Sequence, residues 1–206
     1  DMDISVEDRT PKELYKLLSG IVVPRPIALV STKNKNNIPN VAPYSFFNVV
    51  TNDPPIVMFS IGERRKNQKD TLNNIEAHPE FVINIANVRI AESVHNAAAN
   101  FKSGVSEFNE VNLTPIPTKV IDGVAVKESP IHIECKLDQI IKVGKGFMVL
   151  GQVVHFYIDD SIYLGNYKTN FQKLNPLARF AGNKYGEISH YMSLRREFNP
   201  EKVLKE

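Results

Sequence analysis

Most apolar residues of the chain fall in short runs that are separated by polar turns. Runs of this kind predict strands over residues 24–32, 41–51, 56–61, 81–85 and 147–158. From Ile131 to Leu137, apolar and polar side chains alternate strictly, which predicts a half-buried antiparallel strand. The chain is therefore predicted to consist mainly of strands.

Helical patterns are short. Thr10 to Glu13 forms a capping-box sequence with proline at the first helical position, and leucines follow at helical spacing until Gly20. Further helical segments are predicted over residues 71–77, with Leu72 and Ile75 on one face, and over 88–100 and 107–111. Because several links between strands are too short for a parallel crossover, we predict an antiparallel β-barrel with peripheral helices.

Composition narrows the class of protein. The 206 residues are 42% hydrophobic and 23% charged, which suits a single domain over residues 1–206. Lys and Arg number 25 against 23 Asp and Glu, so we expect no nucleic-acid partner. Cys135 stands alone, which excludes an intrachain disulfide. No apolar run approaches the ~20 residues of a membrane span, and we expect no membrane partner and a cytoplasmic location.

Several familiar site motifs are absent from the sequence. It contains no GxGxxG, no Walker A sequence and no HExxH, and the five histidines are widely separated. We expect these histidines to be surface residues or hydrogen-bonded core residues. The sequence therefore predicts no metal site, and it identifies no catalytic residue.

Residues 40–50 mix aromatic, small and polar side chains without alternation. Pro43 removes one ladder donor from a strand-like run, which favours an edge strand or a bulge. Neighbouring backbone groups would then be free to bind the edge of a flat heteroaromatic ligand. The alternative is an ordinary kinked barrel strand with aromatic core residues, and the pattern alone does not separate the two.

Residues 64–71 are basic and directly precede a predicted helix. Free N–H groups at a helix start, together with Lys69 and the Thr71 hydroxyl, would form a phosphate cradle. As the N-cap, however, Asp70 would satisfy the helix itself and repel an anion. The alternative is a solvated basic loop that is capped by Asp70.

Eight segments, taken in order, carry a resemblance to a known family. They are Pro24–Thr32, Asn40–Asn48, Asp53–Ser60, Lys69–Ile75, Glu80–Asn84, Glu128–Pro130, Gly151–His155 and Leu177–Tyr185. In this order they resemble the flavin reductase-like family of FMN-binding split barrels, in particular its flavoredoxin-like branch. The resemblance is strongest over residues 22–185.

The resemblance implies a mainly β, six-stranded antiparallel split barrel that forms a homodimer, with FMN near the subunit interface. It also implies a set of cofactor-binding residues: Ala42, Pro43, Tyr44 and Ser45 along the isoalloxazine, Asn48 at the ribityl or phosphate, Ser60, Ile61 and Gly62 beside the flavin, and Lys69, Asp70 and Thr71 at the phosphate. Residues 179–185 are expected to close the site.

The implied activity is that of an FMN-dependent NAD(P)H oxidoreductase. Bound FMN would accept hydride at N5 and pass electrons to a small-molecule or protein acceptor. Two alternatives stay open. One is a non-catalytic FMN-binding electron carrier that a partner protein reduces, and the other is a flavin-free barrel that binds another phosphate-bearing ligand or only a partner.

Overall fold

The computed structural model describes residues 1–62, 66–99, 101, 106–188 and 190–194, with the backbone alone for 66–69. The helices are α1 (Pro11–Ile21), α2 (Lys66–Ala77), α3 (Ala91–Asn96), α4 (Glu107–Glu110) and α5 (Phe171–Leu174), with a 3-10 turn at Val88–Ile90. The strands are β1 (Arg25–Pro26), β2 (Ala28–Lys33), β3 (Pro39–Tyr44), β4 (Phe47–Asn52), β5 (Pro55–Ile61), β6 (Glu80–Ile85), β7 (Pro115–Pro117), β8 (Val124–Val126), β9 (Ile131–Val143), β10 (Gly146–Ile158), β11 (Leu177–Arg179) and β12 (Tyr185–Glu187).

The main sheet is antiparallel throughout and has the strand order β3-β2-β6-β9-β10-β5-β4. This confirms the predicted mainly β class. The sheet has seven strands rather than six, because the run over residues 41–51 is broken at Ser45 and Phe46 into β3 and β4. These two strands are neighbours in sequence but lie at opposite edges of the sheet, and we call the gap between them the seam.

The interior of the barrel is filled by large apolar side chains. Phe59 and Phe81 are fully buried, and their rings meet edge to face with centroids 5.6 Å apart. Leu72 and Ile75 of α2 belong to the same cluster, which confirms that they share a buried face. Each fully buried phenylalanine contributes about 2 kcal/mol through removal of apolar surface from water. A second cluster packs α3 and α4 against the other side of β2 and β3.

The β9–β10 hairpin forms the long centre of the sheet. Its register shifts between Leu150 and Gly151, and glycine is required there because a Cβ would lie 2.4 Å from the Phe81 ring. The prediction that this part of β9 is half-buried was wrong, since His132 and Glu134 are buried as well. The reason is that the backbone of residues 119–126 covers their face of the strand and supplies their hydrogen-bond partners.

The predicted helices lie where the structure has helices, but some of their end residues differ. The Thr10–Glu13 capping box is present, and α1 ends at Ile21, one residue beyond Gly20. The segment predicted over residues 88–100 is a 3-10 turn followed by α3, which ends at Asn96, and residue 100 lies outside the described residues. Within the described residues, no helix has the length and apolar character that crossing a bilayer requires.

Candidate functional site

Strand β3 borders the seam and pairs with β2 alone. The edge position that Pro43 predicted is therefore confirmed, with Pro43 opposite Leu29 in the register. The side chains of Ala42 and Tyr44 are buried in the core, whereas Pro43 and Ser45 are partly exposed. What β3 presents at its free edge is thus mainly backbone.

A network of buried, hydrogen-bonded polar side chains lies along this edge. The amide of Asn40 donates to both carboxyl oxygens of Glu107 at 2.8 Å, and the Val41 N–H donates to Glu107 Oε2 at 3.4 Å. On the other side, the Thr71 hydroxyl donates to Asn40 Oδ1 at 3.4 Å. The residues Thr71, Asn40 and Glu107 therefore tie α2, β3 and α4 together.

The Glu107 carboxyl is unusual because it is only 2% exposed. Burial raises the pKa of Glu107 to about 7, and the negative charge of Asp70 acts in the same direction. Hydrogen bonds from the Val41 backbone and the Asn40 side chain oppose the increase. At neutral pH this group therefore exists in both charged and uncharged forms.

The hydroxyl of Tyr44 is buried near the same hydrogen-bond network. Its ring packs on Phe59 with centroids 4.9 Å apart, and its Oη atom is buried. Among the described residues, no group meets hydrogen-bond geometry with this oxygen. Burial raises the pKa of Tyr44 above its usual range, and the nearby Thr71 hydroxyl acts against that increase. The barrel thus holds a buried hydroxyl close to Thr71.

Arg25 fixes the turn that links β3 to β4. Its Nε donates to Ser45 Oγ at 3.4 Å, and its guanidinium lies 5.7 Å from the centroid of the Phe46 ring. The same buried group donates to Ser19 O at 2.6 Å and to Val22 O at 2.7 Å at the end of α1. On the opposite side, the Ser60 N–H donates to Phe46 O at 2.8 Å. The turn is therefore held from both sides.

The C-terminal segment reaches the site through the same arginine. Strand β11 pairs with β1, which places Arg179 opposite Arg25, and Arg25 donates to Phe180 O at 3.2 Å. Arg179 lies over the Tyr185 ring, 4.3 Å from its centroid. Residues 179–185 thus neighbour the turn, and closure of the site by them stays a prediction.

Two predictions about α2 were wrong. The helix begins at Lys66 rather than Thr71, so Asp70 is its fifth residue and not its N-cap. The physical reason is that residues 66–70 contain no helix breaker and include the good helix formers Lys and Gln. The first turn of the helix therefore falls at residues 66–69, before Thr71. The side chain of Lys69 lies outside the described residues.

The remaining predicted residues divide into two groups. Ser60 and Ile61 end β5 beside the turn, and Gly62 follows them in an exposed position. Asn48 lies farther along β4 with an exposed side chain, whose Oδ1 accepts from the Val49 N–H at 2.8 Å.

Three residues of this region were not predicted as site residues. Arg25 and Asn40 lie within the segments that carried the family resemblance, but only the folded structure shows what they contact. Glu107 lies 67 residues from Asn40 in sequence, and the sequence pattern contained no sign of this pairing.

Comparison with known proteins gives consistent matches. The family model described as "Flavin reductase like domain" matches residues 19–175. Nitrilotriacetate monooxygenase component B from Bacillus cereus is 32% identical, with a TM-score of 0.90 over 94% of this chain and 98% of that chain. The 2-nitrobenzoate 2-nitroreductase NbaA of Pseudomonas fluorescens is also 32% identical, with a TM-score of 0.89 over 97% and 98%. A split-barrel-domain protein from Shewanella frigidimarina NCIMB 400 shares the fold, with a TM-score of 0.85 at 21% identity over 95% and 99%.

Proposed function

Since this chain belongs to the flavin reductase-like family, we propose that it binds FMN at the seam and acts as an NAD(P)H-dependent oxidoreductase. The observation that carries the proposal is the edge of β3 that has no partner strand, with the buried Tyr44 hydroxyl and the Thr71–Asn40 pair beside it. A flavin has a planar ring whose edge accepts and donates hydrogen bonds, and a polar tail. Both parts match what the seam offers.

In this proposal the isoalloxazine lies along the backbone of residues 42–45, with Ser60, Ile61 and Gly62 on its other side. The side chains of Ala42, Tyr44 and Ile61 are buried in the core, so recognition in this proposal depends mainly on backbone groups. The polar tail lies toward Lys69, Asp70 and Thr71. Asp70 and Glu107 bring negative charge to this end, and the raised pKa of Glu107 reduces its repulsion of a phosphate at neutral pH.

The cofactor and the protein have different roles in this proposal. FMN, when bound, supplies the redox chemistry, taking hydride from NAD(P)H and passing electrons to a small-molecule or protein acceptor. The chain orients the ring through β3, and Arg25 holds the turn that follows. The buried Phe59 and Tyr44 rings keep water out of the barrel beneath the seam. No side chain of the chain is required to form a bond with substrate.

We also propose a homodimer. Strand β4 exposes Val49 and Val50, and the end of α1 exposes Leu18, Ile21 and Val22. Arg25 and the Tyr15–Phe46 ring pair connect these two surfaces through the turn. A second copy that covers this apolar surface would also lie beside the seam, which supports a site near a subunit interface.

The test of the activity is a visible spectrum of the purified protein after incubation with FMN and gel filtration. We expect a bound flavin band that is bleached under anaerobic conditions by NADH or NADPH. A band that persists with both nucleotides would overturn the reductase proposal and favour the electron carrier. A protein that stays colourless would overturn flavin binding altogether.

The placement of the phosphate has a separate test. Lys69→Ala should raise the Kd for FMN by about tenfold, since a charge-assisted hydrogen bond is lost, and leave the Kd for riboflavin unchanged. Lys142→Ala, at an exposed position on β9, is the matched control. Equal losses for FMN and riboflavin in the Lys69 variant would contradict the placement.

A further inference from the structure

A polar cavity of about 550 Å³ lies away from the seam. It is bounded by the turn after β6, by residues 127–130 before β9, and by the segment from Asp159 to Asn175 that follows β10. Among the described residues, none of those assigned above to the flavin site lines it. Its volume is within the range of small-molecule sites, which is roughly 300–1,000 Å³.

Asn87 supplies the first indication of a ligand. This residue lines the cavity, is 6% exposed, and its Oδ1 atom has no hydrogen-bond partner among the described residues. Its backbone position is fixed by two interactions. Asn87 forms an isolated antiparallel β-bridge with Pro176, and its carbonyl accepts a hydrogen bond from the Ile90 N–H at 3.2 Å. A buried amide oxygen without a donor is unfavourable, so a ligand with an N–H or O–H group would satisfy it.

The charges around the cavity favour an anion. Arg89, Lys127 and Lys173 line it, and within the described part of the chain none of them forms an ion pair. The two carboxylates of the lining already accept hydrogen bonds. Asp159 accepts from the N–H and hydroxyl of Ser161, and Glu128 accepts from the Thr114 N–H at 2.9 Å. Three cations against two carboxylates leave an excess of one positive charge, and Arg89 also acts electrostatically on Asp159.

Tyr157 adds a surface for a planar group. Its ring lines the cavity and is 41% exposed. One face stacks on His132 with centroids 4.7 Å apart and planes 21° apart, so the opposite face is the one available. Stacking on an aromatic ring is a common way to bind a nucleobase.

We propose that this cavity binds an aminopurine nucleotide of the adenylate type. The amino group donates to Asn87 Oδ1, the base stacks on Tyr157, and the phosphate lies among Arg89, Lys127 and Lys173. The adenylate group has two sources, a free mononucleotide and the adenylate half of a dinucleotide. The proposal does not depend on flavin binding, because the two sites share none of the residues that the structure describes.

The experiment is calorimetric titration of the full chain with AMP, with and without prior loading with FMN. We expect AMP to bind in both cases, and adenosine and inorganic phosphate to bind at least tenfold more weakly. Arg89→Ala and Asn87→Leu, which removes the acceptor oxygen at similar size, should each weaken AMP binding by about tenfold or more. Lys168→Ala, which is exposed and outside the cavity, should leave it unchanged. Circular dichroism of each variant verifies the fold.

Three results would overturn the proposal. They are no heat of AMP binding at millimolar concentration, loss of AMP binding when FMN is loaded, and affinities that Arg89→Ala and Asn87→Leu leave unchanged. Inorganic phosphate that binds as tightly as AMP would overturn the nucleotide assignment. A parallel titration with NADH distinguishes the two sources, because a dinucleotide ligand would bind more tightly than AMP.

Discussion

The buried carboxyl of Glu107 predicts an unusual dependence of stability on pH. The perturbation is Glu107→Gln, which keeps the size of the side chain and resembles the uncharged form. In the folded chain the pKa of Glu107 is raised from 4.5 to about 7 by burial. The folded state therefore holds this proton more tightly than the unfolded state does.

The sign and size follow from linkage. Because the folded pKa is the higher one, the stabilisation from the bound proton is complete below pH 4.5 and is lost as pH rises to about 7. The difference between the two pKa values corresponds to about 3 kcal/mol at pH 8. Glutamine carries no such proton, so the variant should lack this loss.

Urea unfolding at pH 5 and pH 8 measures the effect. We expect the free energy of unfolding of Glu107→Gln, relative to the original chain, to increase by up to about 3 kcal/mol between these pH values. Other titrating groups contribute equally to both proteins and cancel in the difference. Glu110→Gln, an exposed position on the same helix, is the control and should show no change.

A difference in the free energy of unfolding between Glu107→Gln and the original chain that is the same at pH 5 and pH 8 would contradict this prediction. That result would mean that Glu107 ionises in the folded chain as it does in water. If Glu107→Gln instead became less stable relative to the original chain as pH rises, the charged carboxyl would be the stabilising form, which is the opposite of this prediction.

Three further predictions concern the core. Burial lowers the pKa of His132, so its NMR titration midpoint should fall below 6.5, and stability that depends on its neutral form should be lost as pH drops below that value. Burial also raises the pKa of the Cys135 thiol, so a thiol reagent should react with it in urea but not in the folded chain. Phe59→Ala should lower the free energy of unfolding by about 4 kcal/mol in urea titrations, since a fully buried ring is lost from between Tyr44 and Phe81.

Local patterns predicted the fold well where local physics decides the outcome. The Thr10–Glu13 capping box and the edge position of β3 both follow from nearby residues, because a cap and a proline act within a few positions. The start of α2 was mislocated since Asp70 is a good N-cap residue, and this preference conflicted with helix formers that precede it.

The site was predictable only in its strand and turn. Pro43 indicated where backbone groups are free, but Glu107 and Arg25 act on that strand from distant parts of the sequence. The same limit applies to β9, where alternation predicted an exposed face for His132 and Glu134. That face is covered by backbone from residues 119–126, and alternation carries no information about what a later fold packs on it.

The seam has a mechanical consequence for the whole barrel. The two strands that flank it, β3 and β4, are joined by a two-residue turn. They share no backbone hydrogen bonds of a strand pair, so the sheet is not closed at this point. A ligand that contacts both β3 and β4 would connect the two edges of the sheet. We therefore expect the free energy of unfolding to be higher with such a ligand bound than without it.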